Sequence, residues 1–273
     1  MNYYVQNWSP FLWQWGESGW GVRYYGLAYV FGFLAFYGGM VLFFRWKWIK
    51  LNPSQTADLV VWAVLGVLIG GRIGYCLIYT LPTTLADPLS MIAFWRGGIS
   101  GMSSHGGIVG VVVAIALYSR KIKYSFWDIA DHAVILAPIG IFLGRIANFI
   151  NGELWGRVTD VPWAVIFPFA GIEPRHPSQL YEALGEGALL FCVLFFLRWW
   201  GWRNGKISAV FLFLYGIVRI FLENFREPDE QLGFFFHFFT MGQLLSVLMI
   251  FASIILWFFL RDPSSNSFSR KRA

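Results

Sequence analysis

Charge is scarce in this chain. Asp, Glu, Lys and Arg make up only 13% of its 273 residues, about half the roughly 25% of an ordinary soluble domain. Cysteine is rarer still. The two present, Cys76 and Cys192, sit in apolar runs without a partner at metal-ligand spacing and read as small packing residues. Residues 1–15 have neither a basic start nor a long apolar core, so they do not read as a cleavable signal peptide. Apolar surface is what the chain has in excess: 57% hydrophobic and 20% aromatic residues, with a mean hydropathy of +0.56. These residues come in runs rather than amphipathic stripes, which excludes a water-soluble fold. The formal net charge is +6, but the basic residues fall between the runs, where they set membrane topology; no nucleic-acid partner is expected.

A bilayer's hydrocarbon core takes about 20 apolar residues per helix. Runs at 22–44, 57–80, 98–119, 128–150, 179–199, 207–225 and 239–260 predict an all-α integral membrane protein of about seven transmembrane helices. Arg45, Lys47 and Lys50, then Arg120, Lys121 and Lys123, then Arg198, Arg203 and Lys206, and finally Arg270, Lys271 and Arg272 share one side if the spans alternate. The opposite loops carry Glu17, Asp87, Asp160, Glu173, Asp229 and Glu230. The positive-inside rule then puts the N-terminus outside and the C-terminus in the cytoplasm. Residues 80–97 and 151–178, rich in Pro, Trp and Gly, are expected to form short external interfacial segments. Gly66 and Gly70, Gly106 and Gly110, and Gly140 and Gly144 have the spacing that lets helices approach closely. No repeated half of the inverted-repeat transporter kind is visible.

An ionisable side chain in a span costs about 2.5–3.5 kcal/mol on insertion scales, so those that persist are paired, hydrated or functional. The alternation of spans puts Arg72, Arg145 and Arg219 toward the outer ends of outward-running helices, and Tyr25 and His105 near the outer starts of inward-running ones. Tyr215, Arg219, Glu223 and Arg226 follow one another at helical spacing on one face. Arg219 with Glu223 could be only a structural pair, and Arg72 could snorkel or pair with Asp87. His105 stands in Gly101-Met102-Ser103-Ser104-His105-Gly106-Gly107, where the small neighbours leave room for a ligand. Arg96 beside Trp95 reads as an interfacial anchor. The densest segment is Gly144-Arg145-Ile146-Ala147-Asn148-Phe149-Ile150-Asn151-Gly152-Glu153-Leu154-Trp155-Gly156-Arg157. Arg145 and Asn148 share a helix face, and guanidinium groups bind phosphate oxygens bidentately without losing their charge. A phospholipid headgroup is the expected ligand.

That segment also resembles the signature of the prolipoprotein diacylglyceryl transferases. So do Arg23-Tyr24-Tyr25-Gly26, Gly70-Gly71-Arg72-Ile73-Gly74-Tyr75 and Ser104-His105-Gly106-Gly107. Arg175-His176-Pro177-Ser178-Gln179-Leu180-Tyr181-Glu182, the stretch from Tyr215 to Asp229, and Met241-Gly242-Gln243 are similar to further blocks of that family. The match covers most of the chain, in order. It implies a multi-pass enzyme of the bacterial cytoplasmic (inner) membrane with its site toward the extracytoplasmic side. The implied reaction moves the diacylglyceryl group of phosphatidylglycerol onto the lipobox cysteine thiol of a prolipoprotein signal peptide, the first step of lipoprotein maturation. One catalytic domain is expected over 1–262, followed by a basic cytoplasmic tail over 263–273.

The chemistry asks for a thiolate attacking a glycerol carbon while a phosphate monoester leaves. Arg145 and Arg219 are expected on the phosphate, with Glu223 orienting Arg219. Asn148 and Glu153 would bind the glycerol headgroup and Tyr25 would help position it, with Arg72, Asn151, Gly156, Tyr215 and Arg226 completing the binding set. His105 is a candidate base for the thiol, its ordinary pKa suiting proton transfer near neutrality; lipid positioning is its alternative role. No metal or other cofactor is called for, because no cluster of carboxylates or histidines has ligand spacing. Three other readings compete: a transporter of an anionic amphiphile, a phospholipid-synthesising phosphotransferase, and a non-catalytic lipid-binding scaffold. Transporters favour midplane sites and repeats, and the phosphotransferase would place metal-binding aspartates on one span. Asp58, Asp87, Asp128, Asp131 and Asp160 lie instead in loops or near span ends.

Overall fold

A computed structural model describes residues 3–16, 20–92, 101–228 and 240–260. Arg96, the acidic residues Glu17, Asp229 and Glu230, and the tail over 263–273 lie outside the described residues. The chain is mostly helical. Its helices are α1 (Tyr24–Arg45), α2 (Pro53–Ile78), α3 (Leu81–Ala86), α4 (Ser104–Lys121), α5 (Phe126–Asn151), α6 (Ser178–Glu182), α7 (Leu190–Trp199), α8 (Lys206–Leu222) and α9 (Met241–Phe259). A π-helical segment, Ala183–Leu189, joins α6 to α7, so that Ser178–Trp199 is one continuous helical run. Among the described residues five helical runs are long and apolar enough to cross a membrane: α1, α2, α5, the α6–α7 run and α9. Of the other two expected spans, α4 has 18 residues and ends on Arg120 and Lys121, and α8 has 17.

Strands were not expected, and the all-α reading needs that correction. Strands β1 (Tyr4–Val5), β4 (Val165–Ile166) and β5 (Pro174–Arg175) form one small sheet in the order β1-β4-β5, and β2 (Phe11–Gln14) pairs antiparallel with β3 (Gly21–Arg23). These segments lie outside the long helices, where unpaired backbone groups still need partners, and pairing two to four residues provides them. Such pieces are too short to show a period of two. In the stretch 80–97, α3 and a 3-10 turn at Pro88–Met91 form, and residues 93–97 lie outside the described residues.

The chain divides into two compact units, Met1–Phe36 with Asp131–Ala273, and Tyr37–Ala130. In the second unit α2 starts with a reciprocal cap, Asn52 accepting from the Gln55 amide while the Gln55 side chain accepts from the Asn52 amide, with Pro53 in the first turn. It packs along α4 through glycine. A methyl at Gly66 would lie 2.6 Å from the Gly110 carbonyl oxygen, and one at Gly74 2.8 Å from the Gly106 Cα. No side chain fits between those backbones. Gly140 and Gly144 are different, because a methyl on either meets nothing within 4 Å. The nearest approach at that pair is ordinary contact, a methyl on Gly32 of α1 lying 3.5 Å from the Gly140 Cα.

In the first unit, Gly216 brings α8 against α9, where a methyl would meet Ile250 Cγ1 at 2.7 Å and the Ser246 carbonyl oxygen at 2.9 Å. Asp131, fully buried near the start of α5, caps the next hairpin: it accepts from the Gly205 and Ser208 amides at 2.8 Å and from the Ser208 hydroxyl at 2.7 Å. Gly205 takes a left-handed conformation with φ 84° to start α8, which glycine adopts without steric cost. Beside Asp131, buried His132 accepts at Nε2 from Arg198 Nε at 3.1 Å.

Candidate active site

Two polar clusters assemble in the first unit. The larger is a chain of ion pairs inside the helical layer. Arg145 projects from α5, Glu182 ends α6, Glu186 sits in the π-helical segment, and Arg219 and Glu223 lie on the last turn and C-cap of α8. Arg145 reaches Glu182 Oε2 at 2.8 Å and Glu186 Oε2 at 3.2 Å. Arg219 reaches Glu182 Oε1 at 3.0 Å, Glu186 Oε1 at 3.1 Å and Glu223 Oε2 at 2.6 Å. Arg226 joins through Glu182 Oε1 at 3.4 Å. Both Glu182 and Glu186 are wholly buried, whereas the Arg145 and Arg219 side chains keep 17% and 12% of their surface. What solvent or a ligand can touch here is therefore mainly guanidinium.

The local sequence explains the arrangement. Glu182 and Glu186 are four residues apart, so one helix face carries both, and the i→i+5 turns of the π-segment lie under Glu186. Tyr215, one turn before Arg219, is close enough to Arg145, Arg219, Glu182 and Glu186 to feel all four charges. Glu223 is backed by Gly242 at the start of α9. A methyl there would stand 2.9 Å from both carboxylate oxygens, so the helix can approach only because that residue has no side chain.

The second cluster surrounds Glu153, just past the end of α5. Its Oε1 accepts from Asn148 Nδ2 at 2.8 Å and from Asn151 Nδ2 at 3.2 Å. Its backbone carbonyl accepts from Gln179 Nε2 at 2.7 Å, and the Leu154 carbonyl accepts from the Ser178 hydroxyl at 3.1 Å. This clamp holds a bend in which Gly152 and Leu154 both have positive φ, 66° and 56°. Among the described residues, nothing donates to the buried Oδ1 of Asn151 or Oε1 of Gln179. Tyr25, at the start of α1, lies within electrostatic reach of both Glu153 and Arg145, its hydroxyl 3.4 Å from that of Tyr29.

Gly156 follows. Its amide donates to the His176 carbonyl at 3.0 Å, it bridges to Arg226, and a methyl on it would lie 2.6 Å from the Phe225 carbonyl. It lets three loop segments cross. Arg175 clips the crossing, donating to the Gly156 carbonyl at 3.2 Å and to Glu227 at 3.1 Å. Next to it the Tyr181 hydroxyl accepts from Trp163 Nε1 at 2.7 Å and lies 3.2 Å from His176 Nδ1. Burial lowers the pKa of this histidine from its ordinary value.

Of the expected site residues, Arg145, Tyr215, Arg219, Glu223 and Arg226 thus meet in one cluster, and Asn148, Asn151 and Glu153 in the other. Arg145 and Asn148 share a face, as their spacing predicts, yet each turns to a different carboxylate. Arg72 and His105 belong to the other unit. Arg72 donates from Nε to the Met91 carbonyl at 2.8 Å, from one terminal nitrogen to Ser90 at 2.7 Å and from the other to Gly101 at 3.3 Å, and its guanidinium carbon is 5.8 Å from the Tyr75 ring centre. Such a spread of carbonyl partners ties down the segment after α3. His105 is exposed in the first turn of α4, which Ser103 caps by accepting from the Gly106 amide. Sequence reasoning overlooked Glu186 and gave Glu182 no role. Their signal was present: two carboxylates one turn apart inside an apolar run, each as costly to insert as the arginines that drew attention.

Residues 10–259 match the family model described as prolipoprotein diacylglyceryl transferase. A protein of Solidesulfovibrio magneticus named phosphatidylglycerol–prolipoprotein diacylglyceryl transferase is 47% identical over 254 residues, spanning 90% of this chain and 92% of its own length. Proteins of the same name from Aeromonas salmonicida and Brucella anthropi are 45% and 47% identical, covering 89% and 86% of this chain and 87% and 86% of their own.

Proposed function

Because this chain belongs to the prolipoprotein diacylglyceryl transferase family, we propose that it moves the diacylglyceryl group of phosphatidylglycerol onto the lipobox cysteine thiol of a prolipoprotein. One observation carries the assignment of residues: Arg145 and Arg219, from separate helices, share the carboxylates of Glu182 and Glu186. Two guanidinium groups held side by side in a water-poor layer form a clamp for a phosphate. In the reaction the cysteine sulfur bonds to the glyceryl carbon, the bond from that carbon to the phosphate oxygen breaks, and glycerol phosphate departs. The clamp stabilises the charge gathering on the leaving phosphate, and such stabilisation is strongest where water is excluded.

Glu223 orients Arg219, Tyr215 lines the clamp, and Arg226 braces it through Glu182. Asn148, Asn151 and Glu153 take the hydroxyls of the glycerol headgroup, with Tyr25 beside them, and Gly156 keeps that loop in place. Arg72 positions the segment near the lipid, and His105 receives the thiol proton. The membrane arrangement supported by the distribution of basic residues has seven spans, α4 and α8 included, with the N-terminus outside the bacterial inner membrane and the site facing outward.

The test is transferase activity in membranes carrying Arg145→Lys, Arg219→Lys or His105→Gln, read as thioether-linked lipid on a lipobox peptide. Lysine keeps the charge but loses the fork, so each lysine variant is expected to lose activity by about a hundredfold or more, the scale of removing a transition-state donor. Full activity in both would remove the clamp. Unimpaired transfer by the glutamine variant would remove His105 as the base.

A further inference from the structure

The phosphate clamp is already occupied by acid. Among the described residues, three guanidinium groups (Arg145, Arg219 and Arg226) and three carboxylates (Glu182, Glu186 and Glu223) contact one another directly. Taken by themselves, these six groups are formally neutral before any lipid arrives. Glu182 and Glu186 are wholly buried, while the arginines they contact retain some exposure. The carboxylates stand behind the guanidinium groups, so they offer a lipid no ligand atoms. A buried charge pair is a poor source of stability compared with an apolar replacement, and one helix carries two such acids. Their effect is instead to set the charge that an incoming anion meets.

That charge decides what the site holds. An uncompensated pair of arginines attracts a phosphate in proportion to the phosphate's own charge. It would grip the dianionic monoester leaving the reaction more tightly than the monoanionic diester entering it, and the product would block turnover. With two buried carboxylates behind the arginines, the extra negative charge of the monoester gains nothing. We propose that Glu182 and Glu186 are positioning residues that tune the clamp to bind a phosphodiester and release a phosphomonoester. The inference rests on the transferase reading above.

The experiment compares two soluble competitors in the transferase assay at about pH 8, where a phosphate monoester with a second pKa near 6 is dianionic. They are glycerol phosphate and the diester glycerophosphoglycerol. Wild-type protein is measured first and needs no variant to fold. The two inhibition constants are expected to agree within about threefold, and a tenfold or greater preference for the monoester overturns the proposal. In Glu186→Gln and Glu182→Gln the ratio is expected to move toward the monoester by about tenfold, the weight of one charge at close range, while turnover falls. Loss of shape alone would weaken both competitors together. A ratio unchanged in a variant that still melts cooperatively also overturns the proposal. Wild-type protein that forms no thioether product would instead refute the transferase reading, and the two failures are separate.

Discussion

At the scale of single residues, the polar groups of this protein are held by few, specific partners, so small changes have signed consequences. His176 is half-buried beside Tyr181, and partial burial lowers its pKa from 6.5. The unfolded chain therefore takes up a proton at this position before the folded one does. The stability it contributes is complete above the unfolded value and is lost as pH falls below about 6.5 toward the folded value. The thermal midpoint of purified wild-type protein is expected to fall between pH 7 and pH 5 by more than that of His176→Gln; equal slopes would discount the imidazole. On the loop between α4 and α5, the Tyr124 hydroxyl accepts from the Lys50 amide and donates to Asp128, and burial and that carboxylate push its pKa up to about 12. Tyr124→Phe is expected to cost about 1–3 kcal/mol, the net worth of the two bonds lost, measured by denaturation in detergent. Removal of the buried Asp131 carboxylate is more serious, because the Gly205 and Ser208 amides lose their acceptor. Asp131→Ala is expected to destabilise by about 1–3 kcal/mol per orphaned group, an effect that alanine at an exposed acid such as Asp160 lacks.

At the scale of elements, glycine marks where helices touch, and its effect can be read by adding a methyl group. Gly66 faces the Gly110 backbone and Gly144 faces open space. Gly66→Ala is therefore expected to cost about 1–3 kcal/mol by overpacking, whereas Gly144→Ala is neutral or slightly stabilising through helix propensity. Gly242→Ala should act on chemistry instead, because its methyl displaces the carboxylate of Glu223. Activity is expected to fall well before the melting temperature does. The spacing of these glycines was visible in the sequence, but whether a neighbour stood opposite each pair was not. The five longest helices were legible for a simpler reason: runs such as 239–260 have no other stable home than a bilayer or a buried core. The short strands were not legible, since two residues such as Tyr4 and Val5 have no pattern, and their pairing with Val165 and Ile166 is a tertiary event. The π-segment was also hidden, because no residue type in Ala183–Leu189 demands it.

At the scale of the whole molecule, the candidate site was half legible. Arg145, Arg219 and Glu223 stood out because they are costly in apolar surroundings, and they do meet. The acids that bring the two arginines together were not legible as partners, because Glu186 lies 41 residues from Arg145 and 33 from Arg219, and only the fold joins them. Orientation is a property of the full chain and can be tested as one. A reporter fused to residue 273 is expected to be active only in the cytoplasm, and one placed before residue 20 only outside. The reverse pattern would turn the proposed site toward the wrong leaflet.

The buried acid pair also bears on how such a protein is made. Glu182 and Glu186 enter the membrane in one apolar helix, and without a partner each would cost about 2.5–3.5 kcal/mol. Their partners lie on both sides in the chain, Arg145 being 41 residues before Glu186 and Arg219 33 residues after it. During synthesis α5 emerges first, so Arg145 is the counter-ion at hand when the acids arrive, and Arg219 closes the network only once α8 follows. The helical run that carries these two acids is thus a poorer independent insertion unit than α1 or α9, which carry none. The order in which the helices are synthesised is an order of neutralisation, and a chain lacking Arg145 would be burdened at the translocon before it could ever meet a lipid substrate.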